Sequence, residues 1–254
     1  MKEYTLPLVT IITPCYNSKS YVRDTIESVL QQTYKELEYI IIDDGSNDGS
    51  WEIIKSYGSK IQSFQTENLG ACHARNLGYK KAIGDYLLFL DSDDIISKDM
   101  IKELVEFSCK HPLSIVASPW TRIKKNGAEW VETNSGIKKL PPKNDPILGW
   151  ISGWYYPPCS ILWPKKVYSE LDGWDESLHA NQDGDIMLRA LLHGTNFMIS
   201  DRGKSFYRIH DDSRMSISKD IISNKALVSR MRVLNKVIIK LIDLDHLHIY
   251  REAI

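Results

Sequence analysis

Two acidic clusters stand out by type and position. Asp43-Asp44 follows the apolar run Ile40-Ile41-Ile42, and Asp91-Ser92-Asp93-Asp94 follows Leu87-Leu88-Phe89-Leu90. Carboxylates that end buried strands sit where ligands bind in an open α/β sheet, outside the carboxyl ends of the strands. The D-x-D spacing of Asp91 and Asp93 offers oxygen ligands to a hard cation such as Mn²⁺ or Mg²⁺. Such an ion neutralises a diphosphate, which suits a leaving group. A further carboxylate, Asp183, opens the helical run Gly184-Asp185-Ile186-Met187-Leu188-Arg189. There it could cap the helix.

Competing chemistries meet residues that do not suit them. Asp44-x-Ser46-x-Asp48-Gly49 imitates the start of a calcium-binding EF-hand loop, but Lys55 stands where a bidentate Glu is needed. A phosphatase built on Asp91-Ser92-Asp93 needs Thr or Val where Ile95 stands. The chain has neither G-x-G-x-x-G nor G-x-x-x-x-G-K-[ST], which counts against a dinucleotide-binding Rossmann protein and a P-loop NTPase.

Alternating periodicities supply the elements that would hold these groups. Strands are expected over 9–13, 38–42, 61–65, 86–90 and 114–118. Helices are expected over 21–32 (with Ser20 as cap), around Trp51 and Ile54, and over 71–83 and 100–110. This order implies a mostly parallel sheet with helices on both faces. After Trp120 the pattern changes to a hairpin at Asn126-Gly127, a Pro-rich stretch, the aromatic cluster Trp150, Trp154, Tyr155 and Tyr156, and a helix over 183–192. Short strands over 197–199 and 206–209 follow. A long helix over 220–241 carries Ile222, Ala226, Met231, Leu234 and Ile238 on one side.

The chain has 254 residues, enough for one large α/β domain. Its net charge of −1 gives no global field to attract nucleic acid, so no nucleic-acid partner is expected. Four dispersed cysteines and no C-x-x-C argue against a disulfide framework or a zinc site and suit a reducing cytosol. No apolar stretch approaches a membrane span, so a cytoplasmic location is expected, with the inner face of the membrane as an alternative.

Five segments in order then resemble the inverting, GT-A-fold glycosyltransferases of family 2. They are Val9-Thr10-Ile11-Ile12-Thr13-Pro14-Cys15-Tyr16-Asn17, Ser28-Val29-Leu30-Gln31-Gln32-Thr33-Tyr34, Asp43-Asp44-Gly45-Ser46-Asn47-Asp48-Gly49-Ser50, Asn68-Leu69-Gly70-Ala71-Cys72-His73-Ala74-Arg75-Asn76 and Leu90-Asp91-Ser92-Asp93-Asp94. The resemblance implies a Rossmann-like GT-A fold that moves a sugar from a nucleotide diphosphate, UDP by preference, to an acceptor hydroxyl. It assigns nucleotide binding to Pro14, Tyr16, Asp44, Arg75, Asp91 and Ser92, with Tyr16 stacking on the base and Asp44 accepting from it. Asp93 would bind the metal (Mn²⁺ or Mg²⁺), joined by His210 of Tyr207-Arg208-Ile209-His210. Asp183 matches the family's catalytic base, although Gln182 replaces the usual Glu before it. Gly173-Trp174-Asp175-Glu176 matches an element that places Trp174 and Glu176 near the acceptor.

The resemblance also divides the chain. Residues 1–216 would form the glycosyltransferase domain, with a nucleotide half to about 118 and an acceptor half over 119–216. Residues 217–254 would form a helical extension. A carbohydrate or lipid-linked acceptor is implied, in surface polysaccharide or glycolipid synthesis. A non-catalytic nucleotide-sugar binder on the same fold is the rival, and the retained Asp183 argues against it. The terminal helix, basic beside an apolar face, suits packing on the domain, peripheral membrane contact or a homodimer.

Overall fold

The computed structural model describes residues 6–127, 129–133, 140–209 and 223–254. Its first half winds four parallel strands with helices: β1 (Val9–Cys15), α1 (Val22–Leu30), β2 (Leu37–Asp43), α2 (Ser50–Lys55), β3 (Gln62–Gln65), α3 (Ala71–Lys81) and β4 (Tyr86–Phe89). The alternation of side chains along the strands divides the core. Ile12, Ile40, Ile42, Leu87 and Phe89 face α3, whereas Ile11, Ile41 and Leu88 join the cluster under α1. Each such side chain contributes about 1.5–3 kcal/mol by leaving water. The register fixes where polar residues emerge. Cys15 lies opposite Asp43, so Tyr16 and Asp44 leave the same sheet edge. Phe89 lies opposite Ile12, which brings Asp91 out beside them.

The helix start differs by one residue from the expectation. Ser20 does not cap α1. Tyr21 holds the N-cap position without a side-chain bond, and the Ser18 carbonyl accepts the Tyr21 and Val22 amides at 2.9 Å each. Ser18 can do this because its own amide is held by Ser50 Oγ at 2.8 Å.

The second half completes the sheet in an order that the periodicity did not give. After β5 (Ile95–Ile96), α4 (Met100–Lys110) and β6 (Ile115–Ala117), the chain forms the expected hairpin of β7 (Trp120–Asn126) and β8 (Glu129–Glu132). It continues through α5 (Pro146–Ile151), β9 (Ile161–Pro164), α6 (Lys165–Tyr168), α7 (Gln182–Leu192), β10 (Phe197–Ile199) and β11 (Ser205–Ile209). The large sheet runs β10-β6-β9-β4-β1-β2-β3, and β9 lies antiparallel between β4 and β6. A smaller sheet, β5-β11-β7-β8, stands beside it.

The chain ends in α8 (Asn224–Asp243) and α9 (Leu247–Tyr250). The buried face of α8 is Ala226, Ser229, Val233, Val237 and Leu241, one step round from the stripe read in the sequence. Met231, expected inside, is 63% exposed, and Ile222 lies outside the described residues. Leu227, Val228, Ile239 and Ile242 are also exposed, so α8 is apolar on two sides and its periodicity alone does not choose between them. Charge chooses. Lys236 Nζ donates to Asp175 at 2.6 Å and to Asp185 at 2.7 Å, docking α8 on α7. Asp185 is 2% exposed and also accepts from Arg189 Nε at 2.9 Å. Arg189 in turn donates to the carbonyls of Leu171 and Gly173. Among the described residues no helix is long and apolar enough to cross a membrane.

Removing a partner from a buried ion pair leaves charge without compensation and costs roughly 3–5 kcal/mol. Asp185→Ala should therefore lower the melting temperature well beyond the effect of an exposed substitution such as Glu52→Ala. Calorimetric melts of the two variants measure the difference, and equal melts would show that the cluster does not hold α8.

Candidate functional site

The loops at the carboxyl edge of the sheet are stapled by side chains. Asn17 N bonds Ser46 Oγ at 2.9 Å, and Asn47 N bonds Asn17 Oδ1 at 2.9 Å. Asn17 itself is left-handed, with φ 49°, a conformation that Asn adopts more readily than most residues. Ser18 Oγ meets Ser92 Oγ at 2.7 Å, tying the end of β1 to the loop after β4. Asp48 accepts from the Lys19 and Ser50 amides at 2.9 Å each. The acidic run read as a mimic of a calcium loop is thus a hydrogen-bonded brace.

Behind this brace lies a cleft of about 790 Å³. One half is lined by Pro14, Tyr16, Asp44, Arg75, Asp91 and Asp93 from the first part of the chain. Tyr16 is 44% exposed and offers its ring at the rim. Asp44 is buried with both carboxylate oxygens engaged. Oδ1 accepts from Thr66 Oγ1 at 2.8 Å and Leu69 N at 2.7 Å, and Oδ2 accepts from Gly70 N at 2.7 Å. A carboxylate has about four lone-pair sites, so Asp44 anchors the 66–70 loop and keeps acceptor capacity toward the cleft. Ser92, expected as a nucleotide contact, also lines the cleft, where it is largely buried with its hydroxyl engaged by Ser18.

The two halves meet at Arg75. Its guanidinium is 5% exposed, donates to Asp91 Oδ1 at 2.6 Å and to Gln182 Oε1 at 3.4 Å, and stacks over Trp174 with 4.5 Å to the ring centroid. Burial works against its charge, and the Asp91 and Asp183 carboxylates more than offset that, raising its pKa. Asp183 sits in the first turn of α7 and lines the same cleft. It does not cap: Asn181, left-handed at φ 59°, precedes the helix without a side-chain bond, and Asp183 has no hydrogen-bond partner among the described residues. Its pKa is pushed up to about 6, chiefly by burial, with Arg75 pulling it down and Asp91 pushing it up. An unpaired carboxylate poised near neutrality suits a general base.

The D-x-D loop splits its carboxylates among three tasks. Asp91 holds Arg75. Asp94 turns inward, accepts from the Arg208 amide at 2.9 Å, and is held well above the usual carboxylate range by burial, with the Asp93 and Asp91 charges adding. Asp93 lines the cleft. Among the described residues no three carboxylate, imidazole or thiolate groups converge as a closed metal site. One carboxylate beside an incoming diphosphate still fits a hard divalent ion, which takes most of its oxygens from phosphate and water. His210, the other expected ligand, lies outside the described residues.

Two expected acceptor contacts are elsewhere. Neither Trp174 nor Glu176 lines the cleft. Trp174 is 3% exposed, packed beneath Arg75 and edge-on to Phe89 at 5.3 Å. Glu176 is taken by α3, accepting from Asn76 Nδ2 at 2.8 Å and facing His73 Nδ1 at 3.0 Å. The wall opposite the nucleotide half is instead formed by Arg122, Tyr155, Tyr207, Arg230 and the 179–184 segment. The aromatic cluster was visible in the sequence, but nothing in the spacing ties Arg122 or Arg230 to it. A second cavity of about 620 Å³, between α7 and α8, is lined by the already paired Asp175, Asp185, Arg189 and Lys236.

A family model described as Glycosyl transferase family 2 matches residues 10–171. An uncharacterized glycosyltransferase of Rickettsia bellii is 35% identical over 188 residues, covering 72% of this chain and 27% of its own. TuaG of Bacillus subtilis, a putative teichuronic acid biosynthesis glycosyltransferase, is 38% identical over 126 residues, 48% of this chain and 50% of its own. The chain thus spans less than two thirds of these relatives' lengths. Among solved structures, S. aureus TarS in complex with UDP-GlcNAc superposes with a TM-score of 0.76 at 23% identity, covering 95% of this chain and 69% of that one. The mannosyltransferase PcManGT of Pyrobaculum calidifontis, in complex with GDP-Man and Mn²⁺, gives 0.67 at 14% identity, covering 92% and 65%. The fold is GT-A, with a mostly parallel central sheet.

Because Asp44 accepts two loop amides, Asp44→Asn should cost one of them its acceptor. Amide hydrogen exchange at Leu69 or Gly70, whichever loses its acceptor, should quicken by about five-fold, the equivalent of one hydrogen bond of about 1 kcal/mol. Unchanged exchange would mean that the loop is held without Asp44.

Proposed function

The chain belongs to glycosyl transferase family 2, and from that premise we propose that its cleft moves a sugar from a nucleotide diphosphate to an acceptor hydroxyl with inversion. The observation that carries the mechanism is Asp183, a carboxylate without a hydrogen-bond partner among the described residues that lines the cleft within electrostatic reach of Arg75 and Asp91. The acceptor oxygen attacks the anomeric carbon as Asp183 takes its proton, and the bond from that carbon to the diphosphate oxygen breaks in the same step. Attack from the face opposite the leaving group inverts the centre. The nucleotide lies against Pro14 and Tyr16, with Asp44 accepting from the base, Asp91 near the ribose, Arg75 fixing the group and Ser92 bracing the loop. Asp93, with His210, would hold Mn²⁺ or Mg²⁺, and a bound ion there supplies neutralisation of the departing diphosphate.

UDP is the favoured carrier, a reading supported by the UDP-GlcNAc bound in TarS. The cleft divides near residue 118 into nucleotide and acceptor halves, and α8 and α9 extend the acceptor half. TuaG's printed role in teichuronic acid biosynthesis supports surface polysaccharide assembly as the setting.

Calorimetric titration of UDP, dTDP and GDP, each with and without Mn²⁺, tests the donor site; failure of all three to bind would sink the reading. Asp93→Ala should abolish the Mn²⁺-dependent part of the affinity, and an unchanged Mn²⁺ titration would remove Asp93 from the metal site. Asp183→Asn should cut transfer by about 10²–10⁴-fold while nucleotide affinity stays. Asp183 must be ionised to accept a proton, so activity should rise with pH and level off above its pKa of about 6. A wild-type profile flat from pH 5 to 8, about a unit or more either side of that value, would exclude Asp183 as the base.

A further inference from the structure

We propose that the acceptor carries an anionic group and that Arg122 is the residue that recognises it. This rests on the glycosyl-transfer reading and names the substrate class of the same cleft. Charge is divided across the cleft. The nucleotide half carries Asp44, Asp91 and Asp93 around one cation, Arg75. Among the described residues the opposite wall carries Arg122, Arg208 and Arg230 with a single carboxylate, Asp183. Arg208 is spent on Asp24, which it meets at 2.7 Å.

Arg122 is differently placed. Its Nη2 donates to Tyr155 Oη at 2.7 Å, its guanidinium lies 5.8 Å from the Trp120 ring centroid, and no carboxylate pairs with it among the described residues. A guanidinium has five N–H donors in a rigid fork, so the tyrosine fixes its direction and leaves most of the fork for a ligand. The mount is rigid as well. Arg122 lies on β7 opposite Tyr207 on β11. Trp120 packs 5.3 Å from Tyr155 and 6.3 Å from Tyr207. Aromatic rings against a sugar's C–H face, with a fork that matches carboxylate or phosphate bidentately, describe a site for an acidic saccharide or a polyol phosphate. Arg230 from α8 adds positive charge to the same wall.

The test measures binding of three oligomers of matched length to the UDP- and Mn²⁺-loaded protein: one containing hexuronate, one a polyol phosphate and one neutral. At low salt, one anionic oligomer should bind at least about ten-fold tighter than the neutral one, and that advantage should collapse near 0.5 M salt, where the Debye length falls to a few ångströms. Whether the hexuronate or the phosphate is preferred identifies the source of the charge. Arg122→Gln should abolish the advantage, Arg122→Lys should keep part of it, and UDP affinity should hold in both. Equal binding of all three oligomers, or no binding of any while UDP still binds, overturns the anionic subsite and leaves the transferase reading intact. A fall in UDP affinity in Arg122→Gln would assign Arg122 to the donor and likewise overturn the proposal. Failure of UDP to bind the wild type would sink the transferase reading, and the subsite with it.

Discussion

A buried guanidinium is costly unless its donors and charge are met, and around Arg75 the fold meets most of that demand from three directions, leaving Nε without a hydrogen-bond partner. Asp91 comes from the loop after β4, Gln182 from the first residue of α7, and the Trp174 ring from the segment between α6 and α7. Each contact joins a part of the chain distant in sequence. Arg75 thereby sets the spacing between the nucleotide half and the helix that bears Asp183. Asp183 answers to the same cation, because Arg75 keeps its carboxyl from rising further under burial. Asn76, the next residue, holds the 174–176 segment from the other side through Trp174 and Glu176. Two adjacent residues of α3 therefore orient most of the seam between the two halves.

The rest of the structure secures that seam at its outer ends. On one side the serine and asparagine braces among residues 17–18, 46–50 and 92 hold loops whose backbones would otherwise be free at the sheet edge. On the other side Lys236, Asp175, Asp185 and Arg189 press α8 onto the back of α7. Asp175, Asp185, Arg189 and Lys236 of the second cavity are consumed in this docking, whereas Asp183, two residues from Asp185 on the same helix, is left without a hydrogen-bond partner among the described residues. One turn of α7 thus carries a carboxylate that builds the fold and another that lines the cleft.

The nucleotide half was readable because β1, β2 and β4 are buried apolar strands and α1 and α4 are amphipathic helices of ordinary length. The ends of β1, β2 and β4 then fix where Tyr16, Asp44 and Asp91 emerge. The second half resisted the same reading for identifiable reasons. β9 is a four-residue apolar run, Ile161-Leu162-Trp163-Pro164, too short to distinguish from a helical segment by period and closed by a proline. α5 begins at Asp145-Pro146, where Asp145 accepts from Leu148 N at 3.1 Å, a cap followed by proline that the surrounding prolines disguised as loop. Trp174 and Glu176 sit in a motif that points to the acceptor, yet Arg75 and α3 claim their side chains. Arg122, Tyr155 and Tyr207 come together only through the pairing of β7 with β11 and the packing of the loop after α5, contacts that no local pattern encodes.

The placement of β9 has a consequence for how the chain comes off the ribosome. β1 to β4 can pair as soon as residues up to 89 are available, but the free edge of β4 is covered only by β9, ending at Pro164. β6, made in between, cannot reach that edge, because β9 lies between it and β4. For the roughly 75 residues of synthesis in between, at ~5–20 residues per second, the Leu87-Leu88-Phe89 edge waits about 4–15 s without its partner. An apolar strand edge left open on that timescale is a template for pairing with a neighbouring nascent chain. Slow elongation that keeps β9 from emerging would therefore lower the yield of folded protein, whereas a pause after β9 has cleared the ribosome would not.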